Sequence, residues 1–324
     1  MKKALITAVI LMLLGAAVLA GIYAYSGFDI SKFSTVNYET KTYTADGDFT
    51  AIDIDTRVSD LRLRKSEDGS VKAVCAEPGY IERTVAVEDG CLRISFNDRR
   101  KLLDNIGINI GSPKMTVYLP EGKYDSLAVL ASTGDVSVPD GFSFGDIKIG
   151  TDTGDISIES FPSSDSSLTH GSVHIVTDTG DIAINGITAQ NIKLRSDTGD
   201  VSINSVSLTE GFTQTTDTGD TAINTLACKT FDSRGDSGEI TLNGVLVSED
   251  MNITRSTGDV TLSGSDAGSI SITTDTGDVT GTLLSEKIFT TKTDTGSISV
   301  PQSTSGGICK ITTDTGDITF TVQK

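Results

Sequence analysis

Residues 192–204 read IKLRSDTGDVSIN, and this stretch decides the fold. Apolar side chains stand at alternate positions on both sides of Gly199: Ile192 and Leu194 before it, Val201 and Ile203 after it. A period of two on either side of a glycine predicts two short strands joined at a corner. The glycine supplies the positive φ that a β-branched residue resists. The preceding Asp and Thr can bond local amides, as Asx and Ser/Thr turns do.

The same phrase recurs along the chain. Its glycines are Gly134, Gly154, Gly180, Gly199, Gly219, Gly238, Gly258, Gly277, Gly296 and Gly316, spaced 20, 26, 19, 20, 19, 20, 19, 19 and 20. The one long interval reflects about six extra residues around Phe161–His170. A period this regular marks a solenoid. Two residues after the glycine the chain is apolar in every copy but one, where Thr221 stands; four after it, Gly281 breaks the set. A stack of Asn185, Asn204, Asn224 and Asn243 five residues after the glycine predicts a second corner with side-chain amides bonding up the stack. The expected fold is therefore all-β: a parallel, two-cornered β-solenoid of about ten ~20-residue coils, two short strands each, roughly 45–50 Å long at ~4.8 Å per coil.

Three regions follow. Residues 1–27 carry Lys2 and Lys3 and then an uncharged, mostly apolar run closed by Tyr23 and Tyr25. About 22 apolar residues suffice to span a bilayer, so this segment is expected to be a single-pass anchor with the body outside the cytoplasm. The alternative is a signal peptide cleaved after Val18-Leu19-Ala20. Residues 28–130 contain alternating strands (FTAIDIDT, DLRLRK, CLRISF, MTVYLP) and are expected to form an irregular β-rich cap over one solenoid end. DTRVSDLRL, from Asp55, looks like a decayed copy of the repeat. Residues 131–324 form the repeat domain.

The formal charge of -18 is concentrated in the repeats: 10 Lys/Arg against 27 Asp/Glu from Ala131 onward, and 16 against 17 before it. Phosphate backbones need basic surface, so a nucleic-acid partner is excluded.

The candidate site residues are two columns of aspartates. Those two before the glycine are Asp152, Asp178, Asp197, Asp217, Asp275 and Asp314; those just after it are Asp155, Asp181, Asp200, Asp220, Asp278 and Asp317. Alternation points both outward. Like charges ~4.8 Å apart in water repel by roughly 1 kcal/mol per pair, so something must offset them. Either each carboxylate accepts turn amides, or Ca²⁺ is held between coils by oxygen ligands; the aspartates are the calcium candidates, and no other cofactor is expected. Asp-Thr-Gly is also the catalytic tripeptide of aspartic proteases, but those need two facing copies, and stacking predicts a column. Thr151/Thr153 and their successors invite comparison with ice-binding ladders, but alternation turns the first Thr of each pair inward. His170 and His174 lie in a loop leading into a strand and are not expected to bind a metal. Cys228 and Cys309 are expected to be buried; Cys75 and Cys91, on separate strands, could pair in an exported protein.

MTVYLPEG (Met115–Gly122), LAVLASTGDV (Leu127–Val136) and the repeated TGD[IV], behind an N-terminal membrane segment, resemble a bacterial family of "putative adhesins" of unknown activity. The resemblance implies a membrane-associated, outward-facing repeat protein and supplies no catalytic residues. The expected function is non-enzymatic binding of a protein or glycan partner. The competing expectations are a carbohydrate-active β-helix enzyme and a calcium-stiffened spacer. The enzyme wants clustered basic residues and sugar-stacking aromatics. The repeats have scattered Lys193, Arg195, Arg234 and Arg255 and no Trp.

Overall fold

A computed structural model describes residues 2–25, 27, 36–100, 112–159 and 170–323, with the side chains of the first helix described at 11–18 and 20–25. The extra residues expected between Phe161 and His170 lie, apart from His170, outside the described residues.

The repeats stack as parallel strands in register. On the face before the glycine, Phe142–Thr153 pairs with Gly122–Ala131 on one side and His170–Thr179 on the other. The ladder continues through Thr188–Thr198, Gly211–Thr218 and Thr230–Ser237. Leu127, Ile147, Val173, Ile192, Phe212, Phe231 and Met251 thus lie side by side, all buried. On the face after it, Val138, Ile158, Ile184, Ile203, Ile223 and Leu242 do the same. The corner glycines hold φ near +140°; a Cβ on Gly219 (φ +143°) would lie 2.1 Å from the carbonyl oxygen of Gly199. Both conformation and stacking distance require glycine there.

The coil differs from the expected two-strand outline: it has a third face. Six residues after the corner glycine the chain turns through the left-handed region at Gly186, Ser205, Thr225, Gly244 and Gly264, with φ between 55° and 68°. That turn ends the second strand and starts a short third one, where Val206, Leu226 and Val245 stack, as do Cys228 and Val247. These inward side chains are buried, so the cross-section is three-sided.

The stacking order also departs from chain order. Val260–Thr276 pairs with Gly307–Thr315, and Lys287–Thr295 pairs with the far side of Gly307–Thr315. The coil of Gly316 is therefore inserted between those of Gly277 and Gly296, and the Gly296 coil forms the end. Its second strand is only Ile298–Ser299, and Pro301 stands where inner coils carry the stacked asparagine.

At the other end Ala51–Arg57 and Asp60–Lys65 form a further coil, as the decayed copy implied. Ile52 lies beside Leu127 and Leu61 beside Val136, with Ser59 in the glycine's place. Cys91–Asp98 continues one face in parallel and carries Ile81–Glu88 antiparallel to it. Lys114–Leu119 continues the other, followed by antiparallel Val71–Pro78 and Tyr38–Ala45. Within these strands Arg83 and Glu77, both fully buried, form an ion pair at 2.8 Å. Arg83 also donates to Ser59 Oγ at 2.6 Å, so the pair is tied to the first coil. Burial, with the Glu77 carboxylate alongside, pushes the Tyr43 phenol up to about 12.

The N-terminal helix, Lys2–Tyr25, is 24 residues long. Leu11, Met12, Leu13, Leu14, Val18 and Ile22 are exposed on it. Over the described residues no helix is long and apolar enough to cross a membrane.

Candidate functional site

The structure puts the aspartates where alternation placed them, in two outward columns. Those just after the corner glycine form a ladder of their own. Each carboxylate accepts the backbone N–H of its counterpart one coil on: Asp155 from Asp181 at 2.9 Å, Asp181 from Asp200 at 2.8 Å, and Asp200 from Asp220 at 2.8 Å. The ladder continues from Asp278 to Asp317 and from Asp317 to Ser297. The Ser297 N–H holds the Asp317 carboxyl below the usual carboxylate range. These bonds run between coils and not within the turn, and they oppose the repulsion of stacked charges. Asp152, Asp178, Asp217, Asp275 and Asp314, two residues before the glycine, are exposed; Asp197 pairs with Arg195 at 2.9 Å. Among the described residues no three His, Cys, Asp or Glu side chains come together in a group that could hold a metal ion.

The Asp-Thr-Gly copies stack in one column, without the facing pair a protease requires. Thr151 and Thr177 are buried and Thr153 and Thr179 exposed, so no outward Thr pair exists at these coils. The histidines are not brought together. His170 is buried against the Phe144 ring, accepts the Phe144 N–H at Nδ1 (3.3 Å), and is pushed down to about 4 by burial. His174 points outward between Lys148 and Lys193, its pKa lowered by partial burial and those two charges. Cys75 and Cys91, whose pairing the sequence left open, are both free, as are Cys228 and Cys309: Cys75 sits beside Met115 and Cys91 beside Ala51 on different faces. Cys228 and Cys309 are buried, and burial pushes both thiols up to about 12. The asparagine stack is a hydrogen-bonded ladder: Asn204 to Asn185, Asn224 to Asn204 and Asn243 to Asn224, each 2.9 Å.

The interior holds a polar cluster that alternation alone did not reveal. Gln214, buried, donates to Thr216 and to Thr221, the exception two residues after a corner glycine, both at 2.7 Å. Ser233 donates to Gln214 at 3.0 Å, and the buried Arg255 donates to Ser233 at 3.0 Å and to the Thr254 carbonyl at 2.9 Å. Burial lowers Arg255 to about 10. Gly235 makes room for this guanidinium: a Cβ there would come within 3.1 Å of it. The whole cluster is buried in the core.

Space and free charge coincide elsewhere, on the first coil. Arg62 and Arg64 alternate on the outer side of Asp60–Lys65 and border a cleft of ≈530 Å³ shared with Asp135, Ser137, Asp155, Ser157 and Glu159. DLRLRK was read only as a strand. The two arginines at alternate positions were the available signal, and what hid it was not knowing which strand face stayed uncovered.

No curated protein matches the chain. Among solved structures, one from Parabacteroides distasonis described as a "putative lipid binding protein" is 14% identical, with TM-score 0.48 over 89% of this chain and 98% of its own. A "putative adhesin" from Bacteroides fragilis is 17% identical, with TM-score 0.39 over 88% and 97%. Another "putative adhesin" from Parabacteroides distasonis is 13% identical, with TM-score 0.43 over 89% and 98%. The family described as Toastrack DUF4097 matches residues 49–321, most of the chain, and the chain belongs to that family.

Proposed function

We propose that this protein is an outward-facing β-solenoid, tethered to the cell membrane by its N-terminal helix, which binds a protein or glycan partner through its flanks and catalyses no reaction. The observation that carries this reading is the filled, in-register interior. With the core occupied by the chain's own side chains, a partner meets the outward flanks. The two acidic columns and the asparagine ladder are engaged with the scaffold or solvated, and offer no nucleophile beside a base.

The tether rests on length and exposure. A helix of 24 residues rises about 36 Å at ~1.5 Å per residue, against a hydrocarbon core of about 30 Å. Its described apolar side chains lie in the open, which water disfavours and lipid does not. Over the side chains described the apolar stretch is too short to span; the run from Ala4 that completes it is read from the sequence. Lys2 and Lys3 orient the body outward.

Alkaline extraction of membranes from expressing cells, with protease shaving of intact cells, tests this directly. The expected result is full-length protein in the extracted membrane pellet and a body digested from outside. Release by alkali, protection of the body in intact cells, or a mature chain starting near Gly21 would overturn it.

A further inference from the structure

Many cations on this acidic body are held by carboxylates among the described residues. Eleven lysines and arginines sit in ion pairs with carboxylates. Arg62 and Arg64 belong to none of these pairs and make no hydrogen bond from their side chains among the described residues. Both are exposed and share one side of their strand, with Thr116 and Tyr118 beside them on one neighbouring strand and Ser137 beside Arg62 on the other. The cleft they border, ≈530 Å³, adjoins a second of ≈250 Å³ that reaches Lys114 and Thr116. The larger volume suits a small ligand or one or two units of a polymer.

Carboxylates line the same cleft without neutralising these arginines. Asp135 accepts the Asp155 N–H at 3.0 Å and Asp155 accepts the Asp181 N–H at 2.9 Å, so both are anchored in the ladder. Glu159 completes the acidic side, and Ser137 and Ser157 supply hydroxyls. The lining therefore offers two kinds of recognition. Guanidinium forks match a planar carboxylate bidentately. Carboxylates and serines accept hydrogen bonds from hydroxyl groups. A purely anionic ligand would be repelled by Asp155 and Glu159, and a neutral sugar would leave both arginines unused. A ligand bearing one carboxylate among several hydroxyls satisfies every group.

We propose that the Arg62–Arg64 cleft binds a uronate-type acidic sugar unit of a glycan. This deepens the binding role proposed above and names its ligand class. Calorimetric titration of the purified full-length protein in detergent with a galacturonate trimer tests it, with a neutral glucose trimer and inorganic phosphate as comparison probes. Saturable binding of the galacturonate trimer is expected, about tenfold or more tighter than either comparison probe. The Arg62→Ala/Arg64→Ala double variant should lose about tenfold or more in affinity. The Arg62→Lys/Arg64→Lys variant, which keeps charge but not the fork, should fall between and guards against a folding artefact. No saturable binding, equal binding of the neutral trimer, phosphate binding as tight as the uronate, or undiminished binding by both variants would each overturn the assignment. Because this binding is measured on purified protein, its failure leaves the membrane extraction and shaving results standing.

Discussion

At Gly219 a methyl group would sit 2.1 Å from the Gly199 carbonyl oxygen, on a backbone with φ of +143°. Neither strain can be relieved without separating two coils. Gly219→Ala should therefore cost about 3 kcal/mol or more, read from the denaturant midpoint; a loss below about 1 kcal/mol would show that the corner can relax. The neighbouring column makes a finer distinction. Asp200 accepts the Asp220 N–H at 2.8 Å, a bond that a carboxylate or an amide oxygen can accept. Asp200→Ala should lose about 1 kcal/mol. Asp200→Asn keeps an oxygen and removes one of a row of like charges, each pair repelling by roughly 1 kcal/mol, so it should match or exceed the wild type. An Asn variant as damaged as the Ala variant would mean that the charge itself is used, as it would be by a bound cation. The two residues that broke the repeat pattern prove to be paired: Thr221 bonds Gln214, and Gly281 faces Phe320, where a Cβ would lie 2.3 Å from the ring; Gly235 likewise accommodates Arg255. The partner of Thr221 lies across the corner in its own coil, and the partners of Gly235 and Gly281 lie in a neighbouring one.

At the scale of the element, the strands flanking each corner glycine were legible because their apolar residues alternate without competition from a helical period. The third face was not. It presents only two inward residues per coil, and its corner is marked by residues as unlike as Gly186, Ser205 and Thr225, which share only a left-handed φ. Single inward residues on such strands still carry measurable consequences. His170, at the start of His170–Thr179, is held neutral by burial, with a pKa of about 4 against an ordinary 6.5. Above pH 6.5 neither state is protonated and the residue contributes nothing to the pH dependence. Below it the unfolded chain takes up a proton that the folded chain refuses, and stability falls by about 1.4 kcal/mol per pH unit down to about 4. Between pH 7 and 5 the unfolding free energy should drop by about 2 kcal/mol through this group, and His170→Asn should flatten the drop. An unchanged slope in that variant would remove His170 as its source. The Arg62–Arg64 cleft was hidden for a related reason: which outward positions stay uncovered depends on how neighbouring coils sit.

For the whole molecule, the repeats announce a solenoid but not the order of its coils. Every coil presents nearly the same edge, so a strand can pair equally well with a neighbour in sequence or with one a coil further on. The decisive features are local. The two-residue strand Ile298–Ser299 makes the Gly296 coil fit for an end, and Gly281 offers the space that Phe320 fills. The last coil in the chain is thus held on both sides, and the opposite end is finished by antiparallel strands around the buried Arg83–Glu77 pair. The most direct test of this stack is a set of distances between spin labels on the outward aspartate column, in a Cys91→Ser background. One label replaces Asp152 and the other Asp275, Asp294 or Asp314. Counting coils from that of Gly154, these lie six, eight and seven steps away. At ~4.8 Å per step the expected distances are about 29, 38 and 34 Å, with Asp294 more distant than Asp314. A longer distance to Asp314 than to Asp294, or distances that fail to grow with the number of coils, would contradict it.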